Sequence, residues 1–437
     1  MLKNRNSKYN ERKSIRENHP DFFCLSCSYS LLNSHLMFAN RYLEKNRVPA
    51  LIPQNPDPEF GISVVIPCFR EPEVLKTLES LFACRLPDAK VEVILLINHS
   101  ENASDETKNL NLTTKKEADQ WISTHPKAGL IFFAAGPVVL KKKWAGAGLA
   151  RKSGMDEAIR RFNLKNKPDG ILVSLDADTL VEKNYLVEIE HWFKQNPDKV
   201  GATIAFSHQT EGLDGKHLEG IQLYEKYMDY YKNALGFTGY PYPMFTVGSA
   251  FAVKAEAYVK RGGMNRRQAG EDFYFLQNLV QIGPVGEITG TTVHPSARLS
   301  DRVPFGTGPV LQKWMKGEED LSKTYNLKAF ADLKQFFDVN HLFYKISEEQ
   351  YEDWIKKLPA PVELFLKEDN FRLEISDLNK NCSSPETFQN RFFQKFNAFK
   401  ILKFLNFSHE KYYQKADLAA QIYQLNEIQR NQTNDNL

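Results

Sequence analysis

The chain has 437 residues, 42% hydrophobic and 25% charged, which is material for two or three domains with ordinary globular cores. A net charge of +3 excludes the strong electrostatic pull of a nucleic-acid binder. The five cysteines, Cys24, Cys27, Cys68, Cys84 and Cys382, are odd in number and irregularly spaced, which argues against a disulfide scaffold and for a reducing compartment.

Cys24 and Cys27 form one CxxC with no second pair nearby, so two ordinary thiols are read there in place of zinc. No run of about 18 or more apolar residues occurs, so no membrane span is expected. The basic N-terminus lacks the apolar core and cleavage site of a secretory signal. A cytoplasmic protein is the expectation.

Residues 1–20 are polar and charged and read as a mobile tail. Residues 21–45 carry apolar and aromatic groups suited to one docked helix. Residues 48–58 hold four prolines and read as an extended linker, closing an N-terminal segment at 59. Residues 62–67 are a β-branched run ended by Pro67, and Val74, Leu75, Leu78, Leu81 and Phe82 then repeat at helical spacing. Residues 91–97 make a second buried strand ending at Asn98-His99-Ser100, and residues 130–133 a third. Met155, Ala158, Ile159 and Phe162 mark a helix, residues 170–175 a strand, Tyr185, Leu186, Ile189, Trp192 and Phe193 a helix, and residues 200–206 a strand.

These strands are apolar throughout and alternate with helices, so a mainly parallel sheet with helices on both faces is expected. In such sheets ligands bind beyond the carboxyl ends of the strands. The strand at 170–175 runs into Asp176 and Asp178, spaced so that both would share one face of an extended chain. Alone, an Asp-x-Asp reads as a turn or helix cap. Here the segments Pro67-Cys68-Phe69-Arg70-Glu71 and Asn98-His99-Ser100 end neighbouring strands, so three strand ends converge and a site for Mg²⁺ or Mn²⁺ becomes the stronger reading.

Further on, Ile221, Tyr224, Tyr227, Met228 and Tyr231 form an aromatic helical stripe, read as core packing or as a sugar-stacking border of the cleft. Small residues interrupt the apolar run at 245–253, a place of close backbone approach. Gly262-Gly263-Met264-Asn265 is a turn, and Gly270-Glu271-Asp272 opens a helix whose acidic pair also suits the helix dipole.

In this order the motifs resemble those of the family-two glycosyltransferases, which have the GT-A fold. Residues 63–71 look like the first strand and its proline loop, 148–155 like the segment before the metal strand, and Asp176-Ala177-Asp178 like the Asp-x-Asp motif. Val247-Gly248-Ser249-Ala250 is similar to the small-residue acceptor strand, and Gly270-Glu271-Asp272 to the Glu-Asp motif. The likeness covers residues 60 to about 300. It implies a nucleotide-sugar donor held by Pro67, Phe69, Glu71, Asn98, Arg151 and Asp176, and a divalent ion on Asp178 and, less directly, Asp176 that neutralises the departing diphosphate. It implies Asp272 as the base for an acceptor hydroxyl, with Gly248, Ser249 and Glu271 on the acceptor side, and inversion at the anomeric carbon. His294 is read either as a further ligand to metal or phosphate or as a structural histidine. Arg298, Arg302 and residues 304–308 are read either as a lid over the diphosphate or as a surface loop.

Two departures from the family pattern stand out. The second strand ends in Asn98-His99-Ser100 where acidic residues are usual, and Lys141-Lys142-Lys143-Trp144 is a basic insertion, read as donor-steering or simply solvated. Gly146-Ala147-Gly148 is not a dinucleotide fingerprint, because Arg151 stands where the third glycine belongs.

Residues 310–427 read as a helical accessory region after a catalytic domain at 60–309. Ser347 and Gln350 form a capping box, Pro359 and Pro361 break a helix, and Phe388, Phe392, Phe396 and Phe399 line a helical face that packs inward or rests on an anionic membrane. Residues 428–437 read as disordered. The whole implies a metal-dependent, hexosyltransferase-type glycosyltransferase acting on a glycan, lipid-linked or small-molecule acceptor, with no nucleic-acid partner and at most peripheral contact with the inner membrane surface. The rival readings are a sugar-nucleotide nucleotidyltransferase, which would need a glycine-rich phosphate loop after the first strand, and a non-catalytic nucleotide- or carbohydrate-binding protein.

Overall fold

A computed structural model describes residues 37–268, 270–300 and 306–434. The expected N-terminal tail, Cys24, Cys27, Arg302 and residues 304–305 lie outside the described residues. Eight strands form one sheet: β1 (Phe60–Cys68), β2 (Lys90–Ser100), β3 (Leu130–Leu140), β4 (Ile171–Ser174), β5 (Leu180–Val181), β6 (Gly201–Phe206), β7 (Phe251–Lys254) and β8 (Val285–His294). Their order is β3-β2-β1-β4-β7-β6-β8-β5. The pairs β1–β2, β2–β3, β1–β4 and β6–β8 are parallel. β7 runs antiparallel between β4 and β6, and β5 antiparallel to β8. This is the expected α/β sheet, mainly parallel, with antiparallel pairs in its second half.

The helices around it are α1 (Asn40–Asn46), α2 (Val74–Phe82), α3 (Asp105–Thr124), α4 (Ala147–Leu164), α5 (Tyr185–Gln195), α6 (Gly215–Phe237), α7 (Ala255–Arg261), α8 (Glu271–Leu279) and α9 (Thr307–Lys316). Successive side chains of β1 and β2 leave opposite sides of the pleat, so the apolar runs feed two cores. Val64, Ile66, Val93 and Leu95 pack with α2, α3 and α5 on one face. Val65, Ile94 and Leu96 pack with Met155, Ile159 and Phe162 of α4 and Phe275, Leu276 and Leu279 of α8 on the other.

Beyond the sheet come α10 (Leu327–Asp338), α11 (Glu348–Ile355), α12 (Ala360–Glu368), α13 (Phe371–Asn381), α14 (Pro385–Lys395), α15 (Ala398–Lys411) and α16 (Leu418–Asn434). A short antiparallel pair, β9 (Lys323–Thr324) and β10 (Ala416–Asp417), ties the two ends of this region together. The capping box of Ser347 and Gln350 opens α11. The helical core includes Tyr230, Ala234 and Leu235 of α6, so the accessory region is welded to the sheet-bearing part along that helix.

The expected phenylalanine stripe is split between two helices. Phe388, Phe392 and Phe396 are fully buried, the chain turns after Lys395, and Phe399 emerges on α15 at 40% exposure. Of the tail expected to be disordered from residue 428, the described part, 428–434, continues α16, because buried Leu425 and the partly buried Ile428 hold it against the helical core. Among the described residues, no helix is long and apolar enough to cross a membrane.

The proline-rich linker is extended but pinned. Glu157 accepts the N–H groups of Leu51 (3.1 Å) and Ile52 (3.3 Å). Arg161, wholly buried, donates to both carboxylate oxygens of Glu92 (2.5 and 2.6 Å) and to Gln54 O (2.6 Å). Removing one partner of such a pair strands a buried charge. Arg161→Ala is therefore expected to cost about 3–5 kcal/mol of unfolding free energy, read from the denaturant midpoint.

Candidate active site

The parallel strands β1 and β2 and the loop after β4 end at one cleft of about 690 Å³. Pro67, Phe69 and Glu71 line it from the end of β1, Asn98 from β2, and Asp176 and Asp178 from the loop after β4. Arg151 reaches it from α4, Gly248 and Ser249 from the turn before β7, and Glu271 and Asp272 from the start of α8. Among the described residues, His294 and the lysines at 141–143 do not line it, whereas the donor-binding, acceptor-side and Asp-x-Asp candidates named from the sequence do.

Arg151 is the hub. Its side chain is 3% exposed. Nη2 donates to Asp176 (2.8 Å), Nε to Glu271 (3.2 Å), and Nη1 to Ser174 Oγ (2.5 Å) and Gly248 O (3.0 Å). A Cβ on Gly248 would sit 2.7 Å from Arg151 Nη2 and 3.4 Å from Asp272 Oδ2, which is why a side chain cannot be accommodated there. A Cβ on Gly148 would collide with Arg267 O, so glycine lets α4 and the start of α8 close on the same arginine.

Three sequence expectations need correcting. β4 stops at Ser174, and Asp176 begins a turn closed by Thr179 N–H on its carbonyl (3.2 Å), so the two aspartates are not paired along a strand face. They are held by different arginines: Arg151 for Asp176, and for Asp178 Arg298, whose Nη2 donates at 2.6 Å. Arg298 also grips Glu71 through Nη1 (2.8 Å) and Nη2, bridging the ends of β1 and β4. Arg151, expected at the diphosphate, spends its donors on protein acceptors, and Arg298 is the guanidinium beside Asp178. Finally, His294 faces away: Nδ1 donates to Ser207 O (2.9 Å) and Nε2 meets Glu182 (2.9 Å), so both ring nitrogens are engaged outside the cleft.

Asn98 donates its amide nitrogen to Cys68 O (2.9 Å), which leaves the amide oxygen for a ligand donor. Ser249 Oγ is buried without a partner among the described residues, an orphaned hydroxyl in the cleft wall. Burial in the first place, then the charge of Asp176, pushes the Asp178 carboxyl up to about 7 against the pull of Arg298. Burial, then Glu271, raises Asp272 to about 7 against the pull of Arg151. Among the described residues, no group of three or more His, Cys, Asp or Glu forms a metal cage.

The sequence reading missed a polar relay on the same wall. His208, 5% exposed, donates Nδ1–H to Glu225 (2.8 Å), and its Nε2 meets Thr307 Oγ1 (3.1 Å). Its position just after β6 was a signal of the kind that marked Asp176. The aromatic stripe of α6 divides: Tyr224 and Met228 line the cleft, while Tyr227 and Tyr231 pack on the helical core.

No family model matches the chain, and no curated protein matches it. Among solved structures, residues 1–349 of S. aureus TarS match at 13% identity and a TM-score of 0.36, covering 70% of this chain and 80% of that one. The same fragment in complex with UDP-GlcNAc matches at 11% identity and 0.38, covering 76% and 90%. Mannosyltransferase PcManGT from Pyrobaculum calidifontis, in complex with GDP-Man and Mn²⁺, matches at 13% and 0.35, covering 81% and 97%. Scores this low carry no argument about function, which rests on the chain's own residues.

For Asp178 and Asp272 the folded-state values lie above the ordinary 3.8, so the fold prefers the protonated carboxyls. The resulting penalty is absent below about pH 4 and complete above about pH 7. Asp272→Asn is therefore expected to raise the melting temperature at pH 8 and to change it little at about pH 4, which differential scanning fluorimetry at the two pH values would check.

Proposed function

We propose that the chain is a metal-dependent glycosyltransferase that moves a sugar, of hexosyl type, from a nucleotide-sugar to an acceptor hydroxyl with inversion. The observation that carries this reading is that Asp178 and Asp272, two partly buried carboxyls each raised to about 7, line one cleft, Asp178 bonded to Arg298 and Asp272 next to Glu271, which Arg151 holds. A general base works best when its pKa lies near the operating pH.

Five carboxylates, Glu71, Asp176, Asp178, Glu271 and Asp272, face two arginines there. A diphosphate would add negative charge to a site already short of positive charge. The donor set of Asp178 and Asp176 fits Mg²⁺ or Mn²⁺, which takes one or two carboxylates and fills its remaining positions with phosphate oxygens and water. Such an ion, when bound, would stabilise the charge on the departing diphosphate.

The chain's own groups supply the rest. Phe69, 36% exposed, offers a face for the base, and the Asn98 amide oxygen accepts from a base or ribose donor. Arg298 turns from Asp178 toward the diphosphate while Glu71 keeps its hold on the guanidinium. Asp272 takes the acceptor's hydroxyl proton as the new C1–O bond forms and the bond to the diphosphate oxygen breaks. Arg151 holds Asp272's neighbour Glu271 in place, and Ser249 Oγ offers the acceptor a hydrogen-bond partner.

A panel of nucleoside-diphosphate sugars assayed for Mn²⁺-stimulated hydrolysis or transfer tests this. Chelation and Asp178→Ala are expected each to lower the rate by about a hundredfold or more, whereas Asp272→Asn abolishes transfer and retains nucleotide binding. For the wild type at saturating Mn²⁺, kcat/KM is expected to fall about tenfold per pH unit below about 7, because Asp272 must lose its proton. A rate indifferent to metal and to Asp178 would overturn the proposal. Arg298→Ala, which releases Asp178, is expected to tighten Mn²⁺ binding by calorimetry while lowering kcat.

A further inference from the structure

The interior of the cleft is acidic, but its rim beside Asp272 has the opposite sign. Residues 266–268 lead into α8 and lie on the cleft-lining glycines, where a Cβ on Gly146 would meet Gln268 Cα at 2.8 Å. Arg266 and Arg267 are exposed on this segment. The Arg267 guanidinium lies 3.6 Å from the centroid of Tyr274, whose ring is 5.9 Å from that of Phe399, and Lys403 Nζ is 5.1 Å from the Phe399 centroid. On the other side of Gly146, Lys141, Lys142 and Lys143 are exposed, with Lys143 Nζ 4.9 Å from the Trp144 ring.

These six cations form no ion pair with an acid among the described residues. Elsewhere on α15 the lysines are paired: Lys400 with Asp369 and Lys411 with Glu368. The rim thus concentrates unneutralised charge and ring faces on segments that adjoin the cleft-lining Gly146 and Asp272.

We propose that this rim docks an anionic acceptor, a saccharide chain carrying repeated carboxylate groups beside its free hydroxyls. The inference rests on the transferase reading. Guanidinium and ammonium groups bind such anions directly, and the ring faces stack on the C–H surfaces of sugars. The sign change sorts the chain: its charges are held outside by Arg267 and Lys403 and repelled from the carboxylate interior, so only a neutral hydroxyl enters toward Asp272. A membrane surface fits less well. Insertion needs free apolar side chains, whereas each exposed ring here carries a cation on it, and Trp144 and Phe399 are only 38% and 40% exposed.

The test is calorimetric titration of the full chain with oligogalacturonate, with a neutral malto-oligosaccharide of matched length, with phosphatidylglycerol vesicles, and separately with UDP and GDP in Mn²⁺. The acidic chain is expected to bind and to weaken in high salt, with the neutral chain at least tenfold weaker. Arg267→Glu and Lys403→Glu are each expected to lower acidic-chain affinity at least about fivefold and to leave nucleotide affinity unchanged. Equal binding of the neutral chain, charge reversal without effect, or binding of vesicles but not of the acidic chain would overturn the proposal. Failure to bind either nucleotide, with acidic-chain binding intact, would count against the transferase reading and not against the rim.

Discussion

A single buried guanidinium organises the site. Arg151 is almost wholly enclosed, yet it holds Asp176 from the loop after β4 and Glu271 from the start of α8. Removing an arginine from water is costly unless every donor finds an acceptor, and here two carboxylates, a serine hydroxyl and a backbone carbonyl supply them. Those acceptors come from three separate stretches of chain. The geometry of the cleft follows from satisfying this one side chain, and glycine at 148 and 248 follows from how closely the stretches must approach it.

The same constraint sets the electrostatics. Two arginines neutralise part of a carboxylate-rich cleft, and desolvation first, then the neighbouring carboxylates Asp176 and Glu271, raises Asp178 and Asp272. Such groups destabilise the fold at neutral pH, and carboxyls perturbed in this way by burial and like charge cluster at functional sites. Stability given up at the cleft is recovered elsewhere, in the two cores of the sheet and in the Arg161–Glu92 pair that clamps the N-terminal linker.

The helical region does more than follow the sheet. Helix α6 has one side in the cleft, through Tyr224 and Met228, and another in the C-terminal core, through Tyr230, Ala234 and Leu235. The accessory helices therefore brace the wall that carries the His208–Glu225–Thr307 relay, and α15 brings Phe399 and Lys403 to the rim beside α8.

The local patterns were sufficient to find the α/β sheet, the three strand ends that converge, and the residues that line the cleft, because apolar runs and chain punctuation are set by side chains a few positions apart. Asp178 and Asp272 were legible as candidates for this reason. The capping box at Ser347 was too. What the sequence alone could not determine were relations between distant residues: Arg151 satisfied by protein acceptors, Arg298 spanning Glu71 and Asp178, His294 turned outward to Glu182, and His208 turned inward. The end of α16 was misread for the same cause, since polar residues stay helical there only because Leu425 and Ile428 have a core to rest on. Periodicity records which face of an element is apolar; which partner satisfies a buried charge depends on residues from 25 to 227 positions away, and only the folded chain brings them together.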